Sequence, residues 1–148
     1  MADLRELYQS VILDHSRSPR NSGPLAEATA SGSGHNPMCG DAVVVQVRMD
    51  GDTIADVRFT TPPGVGCAVS KASASMMTTA VRGKSRDEAD ALFARFQRMV
   101  TGGPADDVGH LAVFAGVAQF PVRVKCATLA WHTLKSALTS ESEVVSTE

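Results

Sequence analysis

The sequence predicts an α+β fold, on the strength of two observations. The first is a pair of apolar, β-branched segments joined by Asp50-Gly51, a two-residue hairpin signal. The second is a series of segments with helical periodicity, most of them bounded by glycine, proline or a capping residue. Together they predict a small three-stranded antiparallel sheet packed against about five helices.

The first element is a helix that begins at Asp3. Glu6 stands at the capping-box position, and apolar residues follow at helical spacing. The breakers between Ser18 and Pro24 end this helix. A weaker segment, Leu25 to Ser31, predicts an edge strand, and Gly32-Ser33-Gly34 is then expected to break the chain.

The central hairpin is the best-defined part of the sequence. Ala42 to Met49 alternates β-branched apolar residues with polar ones, as a half-buried strand does. After the Asp50-Gly51 turn, Thr53 to Phe59 returns as its partner. Thr60 to Gly66 contains Pro62-Pro63, which favours a loop over a strand.

The rest of the chain is predicted to be helical. The second and last of these segments start with clear signals: Ser85 with Glu88 at the capping-box position, and Phe120-Pro121. The predicted helices are Ala68–Val81, Ser85–Val100, Asp106–Phe114 and the segment after Phe120-Pro121.

Composition and charge bound the class of protein. The 148 residues, 43% of them hydrophobic and 20% charged, predict a single domain over residues 1–140, followed by a flexible acidic tail at 141–148. A net charge of −2 gives no basic surface for nucleic acid and no polybasic arm for a membrane. No apolar stretch approaches the roughly 20 residues of a spanning helix, and no signal-peptide pattern is visible. We therefore expect a cytoplasmic protein.

Three cysteines and one aspartate are the main candidates for chemistry. Cys39 and Asp41, separated by Gly40, lie at the entry to a predicted strand and would point to the same side in extended backbone. Cys67 lies at a predicted helix N-terminus, where free amide groups and the helix dipole favour the thiolate. Three unrelated buried thiols are the alternative interpretation, because free cysteine is often buried.

Cations accompany the third cysteine. Cys126 is expected to open the last predicted helix and lies on its apolar stripe, where a plain core cysteine is also a common finding. Arg123 and Lys125 place positive charge within one turn of it, which stabilises a thiolate. Three thiolates and one carboxylate around Zn²⁺ would leave net negative charge, which these cations and Lys71 could offset.

The spacing of the four residues leaves the kind of metal site open. The intervals of 28 and 59 residues between the cysteines do not match a zinc knuckle. Structural zinc sites usually use only cysteine and histidine, so the aspartate favours a chemical role. A purely structural zinc module and an iron–sulfur cluster on the same ligands remain alternatives.

The four histidines are weaker candidates for ligands. His15 fits a packed residue on the first helix, and His35 could approach the site from the loop before Cys39. His110 and His132 fit surface or helix positions.

Five sequence motifs cover nearly the whole chain up to about Ser140. They are Leu7–His15, Pro19-Arg20-Asn21, Asn36-Pro37-Met38-Cys39-Gly40-Asp41, Gly66–Met77 and Gly116–Trp131. Together these motifs resemble the IscU/NifU superfamily. Within it the chain resembles the SufU branch: Lys125 stands where the IscU branch has a histidine, Phe120-Pro121-Val122-Arg123-Val124 replaces the chaperone-recognition motif, and the Cys67–Cys126 interval is long.

The resemblance implies a zinc-dependent sulfurtransferase that partners a PLP-dependent cysteine desulfurase of the SufS type. Cys39, Asp41, Cys67 and Cys126 would bind Zn²⁺. A histidine of the desulfurase would take a zinc position on docking and free Cys39 to accept persulfide sulfur, with Arg123 near that thiolate. The sulfur would pass on to downstream iron–sulfur scaffold proteins.

Two further points follow from the resemblance. A scaffold on which a [2Fe–2S] cluster is assembled across the same cysteine and aspartate ligands is the alternative function. The loop at Thr60–Pro63 is a few residues longer than usual for the family, which would alter access to the metal or the docking surface without changing the ligand set.

Overall fold

The computed structural model describes residues 4–36, 40–62, 67–139 and 144–146. The described chain contains four α-helices, one long 3₁₀ helix and four strands. In chain order they are α1 (Leu4–Arg17), β1 (Ala30–Asn36), β2 (Asp41–Asp50), β3 (Thr53–Thr60), α2 (Ala68–Val81), α3 (Arg86–Val100), the 3₁₀ helix (Gly109–Gln119), α4 (Pro121–Leu138) and β4 (Val144–Ser146).

The sheet has the strand order β3-β2-β1-β4. β1, β2 and β3 pair antiparallel, which confirms the predicted three-stranded sheet with about five helices. β4 adds three residues in parallel to β1, with Val145 beside Gly34. It lies in the segment predicted to be a flexible tail, and the mobility of that segment stays a prediction.

The core lies between one face of the sheet and the helices. Val43, Val45 and Val47 of β2 are at most 2% exposed, because the two-residue period of the strand turns them all towards α4. A register shift between Arg48 and Met49 interrupts the pairing with β3 near the hairpin. The alternation predicted from the sequence is confirmed.

The break predicted at Gly32-Ser33-Gly34 is wrong, because these residues belong to β1. A Cβ on Gly32 would lie 2.7 Å from the carbonyl oxygen of Thr133, and one on Gly34 would overlap Thr133 Oγ1. The glycines therefore let α4 approach the sheet closely rather than ending the strand. The strand predicted at Leu25 to Ser31 lies later, at Ala30–Asn36, and it is not an edge strand, because β4 pairs with its outer side.

Capping residues in the sequence correctly predict where two of the helices begin. Cys67 is the N-cap of α2, and Ser85 forms a complete capping box with Glu88 at the start of α3, both as predicted. The short helix predicted at Asp106–Phe114 is present as a 3₁₀ helix, but its predicted bounds are wrong. Asp107 and Gly109 have φ angles of 55° and 59°, so an α-helix cannot run through them, and the 3₁₀ helix starts only at Gly109.

Helix α4 begins five residues before Cys126. Pro121 is its first residue, so Cys126 lies in the second turn, fully buried, instead of opening the helix. Trp131, one turn further on, stacks on Phe93 and Phe96 of α3 with ring centroids 5.7 and 4.8 Å away. This aromatic stack fixes α4 against α3.

No helix within the described ranges is long and apolar enough to cross a membrane.

Candidate metal centre

Three of the four predicted ligands converge. One donor atom each from Asp41, Cys67 and Cys126 lie within 4.8 Å of one another. They come from the first residue of β2, the N-cap of α2 and the second turn of α4. The fold therefore gathers two sulfurs and a carboxylate from three separate segments.

Asp41 joins the sheet to helix α2. Its side chain is fully buried, and Oδ1 accepts a hydrogen bond from the backbone N–H of Cys67 at 2.8 Å. Oδ2 lies 3.7 Å from Cys67 Sγ. One carboxylate oxygen is thus committed to the Cys67 amide, and the other faces the sulfur.

Cys67 lies where amide groups point at its sulfur. As N-cap of α2 it has extended backbone, and Sγ accepts a hydrogen bond from the N–H of Ser70 at 3.4 Å. The helix terminus predicted at this cysteine is therefore confirmed. Its amide groups and dipole favour negative charge on the sulfur.

The pKa of Cys67 falls from an ordinary value of 9.0 to about 6. The largest cause is a hydrogen bond from the Cys126 side chain, and the backbone amides of Ser70 and Val69 act in the same direction. Burial and the negative charge of Asp41 oppose the shift. Near neutral pH the sulfur of Cys67 is therefore ready to carry the negative charge that a metal ligand needs.

The donor set fits a tetrahedral zinc ion. Zinc–sulfur bonds of about 2.3 Å and zinc–oxygen bonds of about 2.0–2.2 Å place neighbouring donors roughly 3.5–3.8 Å apart. The 3.7 Å between Cys67 Sγ and Asp41 Oδ2 already meets this spacing. Three protein donors are in place, and one coordination position is left for a fourth.

Cys39, the predicted fourth ligand and sulfur acceptor, lies outside the described residues. The described chain stops at Asn36 and resumes at Gly40, and Asn36 pairs with Asp41 across β1 and β2. Part of the Thr60–Pro63 loop also lies outside, and its unusual length stays a prediction. The assignment of Cys39 stays a prediction.

The predicted cations lie on the two ligand helices. Arg123 is exposed in the first turn of α4, while Lys125 and Lys71 are half-buried. Arg123 lines a groove of about 650 Å³ together with Ala68 and Val69, which directly follow Cys67. Its guanidinium thus borders a cavity beside the candidate centre.

The histidines lie apart from this centre. His35 is exposed on β1, on the opposite face from buried Gly34 and Asn36, so it does not approach the site as considered. His15 is half-buried, with Nδ1 2.8 Å from Ser75 Oγ, in line with the predicted packing role. His110 is exposed, and half-buried His132 packs edge-on against Phe93.

Sequence reasoning missed the contacts that orient the ligands. The bond from the Cys67 amide to Asp41 joins residues 26 positions apart, and no local pattern announces it. The bond from Ser70 could have been anticipated, since a cysteine at an N-cap accepts from the third residue of its helix as serine does.

The fold and this centre define a class of protein. Residues 7–143 match the model of the NifU-like N terminal domain family, and the chain belongs to that family. It is thereby a member of the iron–sulfur cluster assembly group that includes the IscU scaffolds and SufU, which confirms the resemblance drawn from the motifs.

Two curated relatives span nearly the whole chain. The iron–sulfur cluster assembly scaffold protein IscU of Streptococcus pyogenes serotype M1 is 45% identical over 93% of this chain and 86% of its own length. The zinc-dependent sulfurtransferase SufU of Bacillus subtilis strain 168 is 40% identical over 95% of both chains. The two names describe different activities on similar sequences.

Solved structures show the same architecture. A proposed iron–sulfur cluster assembly scaffold protein for the SUF system from Fervidobacterium islandicum AW-1 superposes with a TM-score of 0.82 at 34% identity, covering 90% of this chain and 98% of that chain. The N-terminal part of a nitrogen-fixing NifU-like protein from Brucella abortus gives a TM-score of 0.81 at 26% identity, covering 93% and 96%.

Proposed function

We propose that this protein is a zinc-dependent sulfurtransferase that accepts persulfide sulfur from a SufS-type cysteine desulfurase for iron–sulfur cluster assembly. The observation that carries the proposal is the convergence of Asp41, Cys67 and Cys126 within 4.8 Å. The full-length similarity to a zinc-dependent sulfurtransferase supports it. A cytoplasmic location stays a prediction.

Cys39 is the proposed sulfur acceptor. Two residues of chain span at most about 7 Å, so Cys39 is tethered close to Asp41. Its thiolate would attack the outer sulfur of the persulfide on the desulfurase cysteine. The bond between the two donor sulfurs breaks as the new bond to Cys39 forms, and the donor cysteine leaves as a thiolate. No external oxidant or reductant is needed.

Asp41, Cys67 and Cys126 are proposed to remain with the metal. Buried Asp41 and Cys126 have little access to a partner, whereas the acceptor must be accessible. Zinc, when bound with Cys39 as fourth ligand, would keep the thiolates deprotonated and protected. The amide groups at the start of α2 hold negative charge on Cys67.

Arg123 is the proposed electrostatic support for the acceptor. It is exposed at the start of α4 and lines the groove that Ala68 and Val69, the two residues after Cys67, also line. A guanidinium in that position attracts the thiolate form of a nearby cysteine and stabilises negative charge on a transferred sulfur.

A scaffold for a [2Fe–2S] cluster is the second candidate function. The specific observation in its favour is the 45% identity to a relative named as an iron–sulfur cluster assembly scaffold. Cysteine thiolates with one harder ligand also suit cluster iron. Lys125 in place of a histidine before Cys126 favours sulfur transfer instead.

The two functions are separated by anaerobic purification, metal analysis and an assay with a cysteine desulfurase. One tightly held zinc, no colour and faster alanine formation by the desulfurase are expected. If the purified protein instead holds stoichiometric iron and sulfide in a cluster, and passes that cluster to an apo acceptor, its function is that of a scaffold and not sulfur transfer.

The Cys39→Ala variant tests the acceptor. We expect no added sulfur by intact mass after incubation with desulfurase and cysteine, with an unchanged circular dichroism spectrum, because the three converged donors are untouched. The matched control is His35→Ala, an exposed change on the neighbouring strand, which should accept sulfur normally. Unchanged sulfur acceptance by Cys39→Ala removes Cys39 from this role.

A further inference from the structure

A single buried hydroxyl bridges the two helices that carry the cysteine ligands. Ser73 of α2 is fully buried, and its Oγ donates a hydrogen bond to the carbonyl oxygen of Ala127 in α4 at 2.5 Å. The same oxygen accepts a hydrogen bond from Trp131 Nε1 at 3.2 Å. The hydroxyl is therefore used once as donor and once as acceptor.

The position of this bridge relates directly to the candidate centre. Ala127 follows Cys126 in the chain, and Ser73 lies on the helix that Cys67 caps. The residues flanking Ser73, Ala72 and Ala74, are small and at most 1% exposed, and α2 packs directly against α4. The length of the Ser73–Ala127 bond thus limits how far apart the two helices, and with them the two sulfurs, can lie.

The tryptophan that donates a hydrogen bond to Ser73 is held rigidly. Trp131 is fully buried and stacks on Phe93 and Phe96. Its Nε1–H therefore reaches Ser73 from a ring that cannot readily turn away, and it fixes the direction in which the hydroxyl donates.

We propose that Ser73 is a positioning residue of the metal centre, which sets the spacing between Cys67 and Cys126 through its bonds to Ala127 and Trp131. The proposal rests on the proposed zinc site. Groups that orient metal ligands without touching the metal commonly change affinity by 10–100-fold when they are removed.

The experiment compares Ser73→Ala with Thr133→Val. Thr133 is also fully buried, but its hydroxyl bonds to Leu129 within its own helix, at 2.7 Å, so its loss breaks no bridge between the helices. Both variants lose one buried hydroxyl. We expect Zn²⁺ affinity, measured by chelator competition on folded protein, to fall at least about tenfold in Ser73→Ala and to stay within about threefold in Thr133→Val.

Absorption spectra of the Co²⁺-substituted protein give a second measurement, which reports the geometry of the site. Co²⁺ in the wild-type site should give tetrahedral d–d bands, which shift or weaken in Ser73→Ala and stay the same in Thr133→Val. Ser73→Thr keeps a hydroxyl and should restore most of the affinity. If Ser73→Ala does not fold, Trp131→Phe takes its place, since it removes the Nε1–H donor and keeps a stacked ring.

The outcomes separate the two levels of the proposal. Failure of the wild-type protein to bind Zn²⁺ overturns the proposed zinc site itself. If the wild type binds Zn²⁺ and Ser73→Ala binds it as tightly as Thr133→Val does, the zinc site stands but the positioning role of Ser73 is overturned. The same comparison applies to Trp131→Phe where it replaces Ser73→Ala.

Discussion

At the scale of single residues, Asp41 does two things with one side chain. Oδ1 holds the amide of Cys67, while Oδ2 faces the sulfur. Because Oδ1 is engaged, the carboxylate offers a metal only its second oxygen. The orientation of this donor is set by the protein before any metal arrives.

Replacement of Asp41 by alanine and by asparagine separates these two contributions. Asparagine keeps an oxygen for the Cys67 amide, whereas alanine leaves that buried N–H unpaired. In metal-free protein, urea unfolding should show Asp41→Ala to be less stable than Asp41→Asn by about 1–3 kcal/mol. Both variants should bind Zn²⁺ more weakly than the wild type.

The control for this comparison is Asp52→Ala, which removes an exposed carboxylate 3.6 Å from Arg86. A change within about 0.5 kcal/mol is expected there, as for other surface pairs. Equal stabilities for the two Asp41 variants would show that the bond to the Cys67 amide contributes nothing.

At the scale of secondary-structure elements, the contact between β1 and α4 depends on missing side chains. Gly32 and Gly34 face Thr133, and neither position has room for a Cβ. The ligand helix α4 therefore lies closer to the sheet than ordinary side chains would permit. That closeness places Cys126 beside Asp41, at the start of the next strand.

Gly34→Ala is expected to destabilise the protein by about 1–3 kcal/mol, because the added methyl group overlaps Thr133 Oγ1. Thermal or urea unfolding of the metal-free protein measures the loss. Gly116→Ala is the matched control, since a Cβ there meets nothing within 4 Å. In the double variant with Thr133→Ala, part of the loss should be recovered, and strict additivity would contradict the overlap.

At the scale of the whole molecule, stability should fall on acidification. The pKa of His15 is lowered from its ordinary 6.5, first by burial and then by Arg20, with Asp14 opposing. The pKa of His132 is lowered by burial and Lys135. Near pH 6 the unfolded chain then binds more protons at these two histidines than the native protein does, so their contribution to stability is complete above about pH 6.5 and declines below it. The lowered pKa of Cys67 acts in the same direction and makes the stability of metal-free protein rise further between about pH 6 and pH 9.

Urea midpoints of metal-free protein between pH 5 and pH 8 check this dependence. The His15→Gln variant should show a flatter profile, because glutamine keeps polar contact with Ser75 but does not titrate. His35→Gln, on the exposed face of β1, should follow the wild type. A wild-type midpoint that rises towards pH 5 would contradict the prediction.

The sequence predicted those parts of the molecule whose causes are local. The alternation in β2, the capping box at Ser85 and the cysteine N-cap of α2 depend on residues a few positions apart. The four candidate ligands were found by residue type and by resemblance, and three of them converge.

The remainder depends on partners distant in the chain. Gly34 was predicted to break the chain because Thr133, the residue that leaves no room for a Cβ there, lies about a hundred residues later. The bond from the Cys67 amide to Asp41 and the Ser73 bridge likewise form only between packed elements. The predicted start of the 3₁₀ helix was too early because Asp107 adopts a positive φ, which the helical pattern of the sequence does not indicate.

The origin of the three donors in separate segments has a consequence for biosynthesis. A ribosome adds roughly 5–20 residues per second, so the 59 residues between Cys67 and Cys126 take roughly 3–12 s to translate. During that interval the nascent chain carries Asp41 and Cys67 without their partner on α4. For the proposed zinc site, the three described donors can therefore come together only after the second turn of α4 has been made.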